Sequence, residues 1–215
     1  MRSGQALRLA LRDLYGNSWR LAPLNALLGA VLVGAGIVAF AVHAGFVLFV
    51  LAGPVAAAVV HAAVTVVRTG NLTFADGLDG LRTHWRRGLV LGAAATAFAL
   101  LAAVALHDYA HGSHYTLPLA FLTLYLVLLL GVYQVVLWTF AIAEPARPLR
   151  EAARAAAAVV LGRPGATFAL GLVLLVVNLA GLAAAVMPFL TLTVAYSFVA
   201  VAHFVLPPPA EEEPV

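Results

Sequence analysis

The feature that most constrains this chain is an apolar tract from Leu21 to Val67, which contains no Asp, Glu, Lys or Arg over 47 residues. As a single helix this tract would be about 70 Å long, more than twice the thickness of a bilayer core of about 30 Å. The tract must therefore fold back. His43-Ala44-Gly45 is the polar, glycine-containing turn near its middle, which predicts one membrane span on each side.

The composition also indicates a membrane protein. Of the 215 residues, 64% are hydrophobic and 10% are charged, whereas average soluble domains carry roughly 25% charged residues. These values exclude a soluble enzyme and a disordered chain. The chain has no cysteine, which excludes a disulfide scaffold, thiolate metal sites and cysteine nucleophiles. The first apolar stretch, of about 22 residues, exceeds the roughly 7–15 of a cleavable signal peptide, so we expect it to be retained.

Three further apolar tracts predict four more spans. A polar loop at 107–115 separates the third span from the fourth, and the fourth ends before Glu144-Pro145. The last tract, from Ala166 to Leu206, is too long for one crossing. We expect it to break at Met187-Pro188, because proline cannot continue the helical hydrogen bonds. The six predicted spans are about 21–42, 46–67, 88–106, 117–141, 166–186 and 189–206.

The sequence thus predicts an all-α transmembrane bundle that forms one membrane domain over 1–206, followed by a disordered tail at 207–215. All 12 basic residues are arginines, and all lie in the three segments on one side of this topology. The positive-inside rule places these segments, both termini and the tail in the cytoplasm. The arginines are Arg2, Arg8, Arg12, Arg20, Arg68, Arg82, Arg86, Arg87, Arg147, Arg150, Arg154 and Arg163.

Each arginine-bearing segment has the pattern of a short amphipathic helix. The second is the clearest, because Thr73 and Asp76 fit a capping box. We expect these helices to bind anionic lipid headgroups, at about 1 kcal/mol per basic residue; a soluble protein partner is the alternative. The predicted apolar stripes are Leu7, Leu11 and Leu14 in the first segment, Phe74, Leu78, Leu81 and Trp85 in the second, and Leu149, Ala153, Ala156 and Val160 in the third. Arg82 and Arg86 lie on the other side of the second stripe.

Polar residues inside spans are candidate functional groups. Asn25, Gln134 and Asn178 are neutral, and for them the ordinary interpretation is hydrogen bonding between helices. His61 and His203 are the ionisable groups in the apolar tracts. The absence of a carboxylate near the centre of any predicted span argues against a proton-coupled pump.

Gly53-Pro54 is expected to kink the second span. Such breaks serve either close helix packing or exposure of backbone groups to a substrate pathway. A pathway would be lined by Gly53-Pro54 together with Asn25, Gln134 and Asn178.

The predicted external loop carries several histidines. His107, His111 and His114 would share one face if the third helix extended through the loop, and histidine is a competent zinc ligand. Gly112 and Pro118 discourage a continuous helix there. These residues are therefore weak metal candidates, and the sequence predicts no metal and no cofactor.

The stretch from Leu51 to Gly92 carries a resemblance to a known family. It contains Gly53-Pro54-Val55-Ala56-Ala57 inside the second span, Arg68 at the end of that span, and an aromatic amphipathic segment after it. With Asn17, Trp19 and Pro23 ahead, this pattern resembles the YesL-like family of small bacterial integral membrane proteins. The resemblance implies a bacterial inner-membrane protein of unassigned activity, often associated with carbohydrate uptake.

The sequence shows no nucleophile elbow, HExxH motif, phosphate-binding loop or paired carboxylates. It therefore predicts a non-enzymatic accessory or scaffolding protein that binds lipid, or a membrane or cytoplasmic protein partner, but not nucleic acid. Arg82, Trp85 and Arg86 are the candidate binding residues. The alternative is a small-solute transporter, or a subunit of one.

Overall fold

A computed structural model describes residues 3–111, 117–183 and 192–206, and these ranges are helical apart from short turns. The predicted all-α class is confirmed for this part of the chain. The helices are α1 (Ser3–Ala41), a 3₁₀ helix (His43–Leu51), α2 (Ala52–Thr69), α3 (Phe74–His111), α4 (Leu117–Ala143), α5 (Leu149–Gly162), α6 (Pro164–Ala183) and α7 (Val194–Val205).

Five helical segments are long and apolar enough to cross a membrane, whereas the sequence predicts six. They are Ser3–Ala41, Gly45–Thr69, Phe74–Tyr109, Pro118–Ala143 and Pro164–Ala183. The segment predicted as the sixth span contains α7, which has 12 residues, whereas a perpendicular crossing needs about 20. The predicted break at Met187-Pro188 and the predicted tail at 207–215 lie outside the described residues.

Two of the predicted amphipathic segments are continuous with the spans that follow them. α1 runs through Arg20 and Pro23 without interruption, and α3 runs through Arg87 and Gly88. Only α5 is a separate helix, between Pro148 and Arg163. A change from polar to apolar residues alters the surroundings of a helix without ending it. α1 and α3 therefore each contain an arginine-bearing segment and an apolar segment long enough to cross a membrane.

The boundary between the third span and the loop also differs from the prediction. The expected loop began at residue 107, but α3 continues to His111. The imidazole Nδ1 of His111 lies 2.9 Å from the carbonyl oxygen of His107, one turn earlier. The polar residues here are compatible with a helix, so polarity alone misplaced the helix end.

Glycines allow α2 and α3 to pack with their backbones in contact. A Cβ atom at Gly88 would lie 2.7 Å from the Gly53 carbonyl oxygen, and one at Gly92 would lie 2.9 Å from the Gly53 Cα. Gly88 and Gly92 form the small-xxx-small spacing that brings membrane helices together. Pro54 lies in the first turn of α2, which follows the 3₁₀ helix without a break. Gly53-Pro54 thus lies at a close contact where the 3₁₀ helix passes into α2, and the kink expected there stays a prediction.

Two arginines bind the carboxyl end of α4. The Arg87 guanidinium donates to the carbonyl oxygens of Ala141 at 2.7 Å, Pro145 at 2.5 Å and Arg147 at 2.9 Å. Arg68 donates to the Ala143 carbonyl oxygen at 3.1 Å. Cations are favoured at this end of a helix, where carbonyl groups lack intrahelical partners. We call this end of the bundle the arginine end.

Candidate functional site

At the arginine end, α1 and α3 expose large aromatic side chains together with arginines. Trp19, Phe74 and Trp85 are 57%, 53% and 46% exposed. We name this region the arginine–aromatic surface. It consists of Tyr15, Trp19, Arg20, Phe74, Leu78, Arg82, Trp85 and Arg86, which are exposed except for the half-buried Arg20.

Contacts between α1 and α3 join the two halves of this surface. The Trp19 and Phe74 rings meet edge to face, with their centroids 5.2 Å apart. The Arg20 guanidinium lies over the Trp19 ring at 4.5 Å, and that of Arg86 lies over Trp85 at 5.2 Å. Both distances suit cation–π attraction. The surface thus presents aromatic groups with positive charge stacked against them.

The start of α3 fixes the position of Phe74. Asp76 Oδ2 accepts hydrogen bonds from the Thr73 backbone N–H at 2.7 Å and from the Thr73 hydroxyl at 2.8 Å. The Asp76 N–H donates to the Thr73 hydroxyl at 3.3 Å. These bonds form the predicted capping box. The Arg20 guanidinium also donates to the Asn71 side-chain oxygen just before the helix.

The apolar stripe of α3 faces outward because glycines occupy the opposite face. A Cβ at Gly77 would lie 2.7 Å from Leu24 of α1, and one at Gly80 would lie 2.8 Å from His61 of α2. The face with the smallest residues therefore packs against the bundle, and Phe74, Leu78 and Trp85 remain exposed.

The first and third arginine segments use their apolar faces for internal packing. In the first segment Ala6, Ala10 and Leu14 are buried, whereas Leu11, predicted to share one apolar face with Leu14, is exposed. The predicted apolar stripe of the third segment agrees better with the buried face of its helix, α5, because Ala156 and Val160 are buried. Leu149 and Ala153 are half-buried beside them. Among the three segments, the second thus presents its predicted apolar stripe outward, except for Leu81, which is half-buried.

A cavity of about 540 Å³ lies between the 3₁₀ helix and helices α1, α2, α3, α4 and α7. Two of the predicted site residues, Gly53 and Gln134, line it. The described residues of its wall include no charged side chain, and their polar groups are Thr96, Gln134 and the indole of Trp138. The cavity is therefore an apolar space with few hydrogen-bonding groups.

The other residues of the predicted pathway lie elsewhere. Asn25 is buried in α1 and is not part of the cavity wall. Asn178 donates to the Leu174 carbonyl oxygen at 2.8 Å and to the Ser197 hydroxyl at 2.7 Å. The second bond joins α6 to α7, as expected of an interhelical hydrogen bond. The structure thus brings two of the five pathway residues to one cavity and does not gather the set.

The histidines proposed as weak metal ligands are described only in part. His107 and His111 lie side by side on α3, with ring centroids 4.3 Å apart. His114 lies outside the described residues. Within the described ranges, no group of three or more His, Cys, Asp or Glu side chains could hold a metal ion.

Sequence reasoning missed three polar contacts near the arginine end. One is the set of hydrogen bonds from Arg87 to the carboxyl end of α4. Another is the contact between His203 Nε2 and Asp13 Oδ2, at 2.8 Å. In the third, the rings of His61 and the buried His84 lie 5.2 Å apart. A residue's own sequence neighbourhood does not reveal such partners, because each contact joins two different helices.

Comparisons with protein-family models, with curated proteins and with solved structures found no match for this chain. Its several long apolar helices are compatible with an integral, multi-pass membrane protein.

Proposed function

We propose that this chain is a non-enzymatic accessory or scaffolding protein of the bacterial inner membrane, which binds anionic lipid headgroups through its arginine–aromatic surface. The observation that carries the proposal is the outward-facing stripe of α3, where Phe74, Leu78 and Trp85 are exposed beside Arg82 and Arg86. In water such a stripe would be unfavourable. At a bilayer boundary it is favoured.

The chemistry of the surface fits this boundary. Tryptophan and tyrosine concentrate at membrane interfaces because their rings are apolar and carry one polar group. Arginine binds phosphate through several N–H groups and can remain stacked on an aromatic ring while doing so. Arg20 and Arg86 are stacked in this way. The surface therefore combines apolar burial with recognition of a phosphate-bearing headgroup.

The distribution of charge supports a cytoplasmic location for this surface. All 12 arginines fall in the three segments that meet at one end of the predicted topology. Anionic lipids give the cytoplasmic leaflet a negative surface potential, which attracts juxtamembrane basic residues. We accordingly place both termini in the cytoplasm.

The resemblance of Leu51–Gly92 to the YesL-like family remains a prediction from sequence. It supports a bacterial origin and an accessory role beside a carbohydrate uptake system, whose membrane or cytoplasmic subunits would be the protein partner.

Transport of a small solute is the second candidate, and the cavity between the helices favours it. The apolar wall of that cavity does not suit a polar solute such as a sugar, because such a solute would lose hydrogen bonds to water without replacement. The accessory role is therefore the better supported of the two.

The test is phosphatidylglycerol binding by the full chain in a neutral detergent, counted by native mass spectrometry. The variant R82E/R86E is compared with R150E/R154E, a matched pair of exposed arginines four residues apart on α5. We expect R82E/R86E to reduce phosphatidylglycerol binding at least tenfold, given about 1 kcal/mol per basic residue and reversal of both charges. Binding of phosphatidylcholine should change little.

Two results would contradict the proposal. Unchanged phosphatidylglycerol binding by R82E/R86E would remove the role of the α3 arginines. An equal loss in R150E/R154E would show that net charge, and not the arginine–aromatic surface, determines binding.

A further inference from the structure

The apolar cavity is separate from the arginine–aromatic surface and has the dimensions of a ligand site. Its wall on α3 extends from Gly92 to Ala103, which corresponds to about 17 Å along the helix axis. The volume of about 540 Å³ falls within the roughly 300–1,000 Å³ of small-molecule sites. Half of a bilayer core measures about 15 Å, so the cavity matches the length of one extended lipid chain.

The wall chemistry favours an uncharged occupant. The described residues around the cavity contribute no charged side chain, and most are aliphatic, aromatic or glycine. A carboxylate, ammonium or phosphate entering this space would lose its hydration without gaining an ion pair. An apolar chain would gain contacts with residues such as Leu100, Phe46 and Phe49.

Gln134 supplies a polar group for such an occupant. Its Oε1 atom is buried and has no hydrogen-bond partner among the described residues. A buried amide oxygen without a hydrogen-bond partner is unfavourable. Oε1 has almost no accessible surface in the structure, so the amide must rotate to turn it towards the cavity, where a ligand hydroxyl, which can both donate and accept, can pair with it.

The position of Gln134 sets the direction of the ligand. Arg87 of α3 binds the Ala141 carbonyl of α4, and this contact gives a common reference point on the two helices. Measured from it along the helix axes, away from the arginine end, Gln134 lies about 10 Å along α4 and Gly92 about 8 Å along α3. Gln134 is therefore level with the Gly92 end of the cavity. The remaining wall runs away from the arginine end, towards Ala103.

We propose that this cavity binds an uncharged long-chain lipid with a single terminal hydroxyl group. Its hydroxyl pairs with the Gln134 carboxamide, and its chain extends along α3 to Ala103. A phospholipid chain fits less well, because its terminal methyl group would leave the amide unpaired or its headgroup would enter an uncharged space.

Trp138 provides a direct probe, because it lines the cavity and is buried. The chain has three tryptophans, and the other two, Trp19 and Trp85, are exposed. The variant W19F/W85F therefore leaves Trp138 as the sole tryptophan emitter.

The experiment titrates this full-length variant in neutral detergent with a long-chain alcohol brominated at mid-chain, which quenches nearby tryptophan. Brominated probes of equal chain length, namely the alkane, the fatty-acid anion and a phosphatidylcholine, are the comparisons.

We expect saturable quenching of Trp138 by the alcohol at lower concentration than by any comparison probe. Q134L, which replaces the amide with a side chain of similar size, should weaken alcohol binding about two- to tenfold without weakening alkane binding. A99F should abolish quenching by filling the cavity. A97F is the matched control, because Ala97 is exposed on the same helix and is not part of the wall.

Several outcomes would overturn the proposal. Phosphatidylcholine that quenches as strongly as the alcohol would identify the cavity as a site for ordinary bilayer chains. Equal alcohol binding before and after Q134L would exclude the hydroxyl contact, and quenching that persists in A99F would place the probe elsewhere. Near-native thermal midpoints and elution volumes for the variants ensure that these readings reflect binding. The cavity wall shares no residue with the arginine–aromatic surface, so failure of this experiment is distinguishable from failure of headgroup binding.

Discussion

The carboxylate of Asp13, in the first helix, lies 2.8 Å from Nε2 of His203, in the last, and both side chains are nearly buried. Asn17 lies beside this contact, where it donates to the carbonyl oxygens of Asp13 at 3.1 Å and Gly70 at 3.4 Å. The Tyr196 hydroxyl donates to the Leu7 carbonyl oxygen at 3.3 Å. These bonds hold the amino-terminal part of α1 against α7 and against the end of α2.

Replacement of Asp13 by alanine should destabilise this junction. The substitution leaves a nearly buried imidazole without its acceptor, at an expected cost of about 1–3 kcal/mol. We expect a lower thermal midpoint for D13A in neutral detergent, measured by tryptophan fluorescence. R12A is the control, because Arg12 is 78% exposed and exposed ion pairs contribute little. Equal midpoints for D13A and the unsubstituted chain would show that the contact is not important for stability.

Arg87 should be the arginine whose loss is most costly. R87A removes charged hydrogen bonds to carbonyl groups in the last turn of α4 and in the residues just after it, and bonds to charged groups are worth about 1.5–3 kcal/mol each. We expect a fall of at least about 2 kcal/mol in the free energy of unfolding, measured by chemical denaturation in neutral detergent. R82A alters an exposed arginine of the same helix and should change it by less than about 0.5 kcal/mol. Equal losses of unfolding free energy in R87A and R82A would argue that Arg87 does not cap the end of α4.

Glycine positions should differ sharply in their tolerance of alanine. G88A would place a methyl group against the backbone of Gly53, so α2 and α3 would have to separate. We expect G88A to lower the thermal midpoint strongly or to reduce the yield of folded protein. G131A meets no atom within 4 Å, and it should raise stability by about 0.5–1 kcal/mol through better helix propensity. Size-exclusion profiles and thermal scans of both variants provide the test, and a well-folded G88A would refute the close contact.

The bond between Asn178 and Ser197 should couple α6 to α7. S197A removes the hydroxyl partner and leaves Asn178 its bond to the Leu174 carbonyl oxygen, so the expected loss is about 0.6–2 kcal/mol. The measurement is the thermal midpoint in neutral detergent. S18A removes an exposed hydroxyl that bonds within its own helix and should have little effect. A midpoint for S197A equal to that of S18A would count against the coupling.

Much of the architecture could be predicted from local properties of the sequence. The turn near His43, the capping box at Thr73 and the apolar face of α5 each depend on neighbouring residues, and the structure contains all three. Hydropathy also located the long apolar helices. It could not separate an interfacial segment from the span after it, because the helical hydrogen bonds of α1 and α3 continue across the change in polarity.

The site was less predictable because it depends on which helices become neighbours. Arg82, Trp85 and Arg86 were recognisable from their pattern, but the outward direction of their helix face follows from contacts of Gly77 and Gly80 with two other helices. Gln134 and Asn178 looked alike in sequence. One lines a cavity and the other bonds to α7, and only the packing of distant segments distinguishes them.

The 3₁₀ winding of His43–Leu51 gives the cavity an aligned pair of rings. With three residues per turn, side chains three positions apart point in the same direction, and the Phe46 and Phe49 rings stack with centroids 6.1 Å apart. Both line the cavity. In an α-helix the same residues would diverge by about 60°, and the two rings would no longer be eclipsed. The helical period of one nine-residue segment therefore determines how these two rings are aligned in the wall of the cavity.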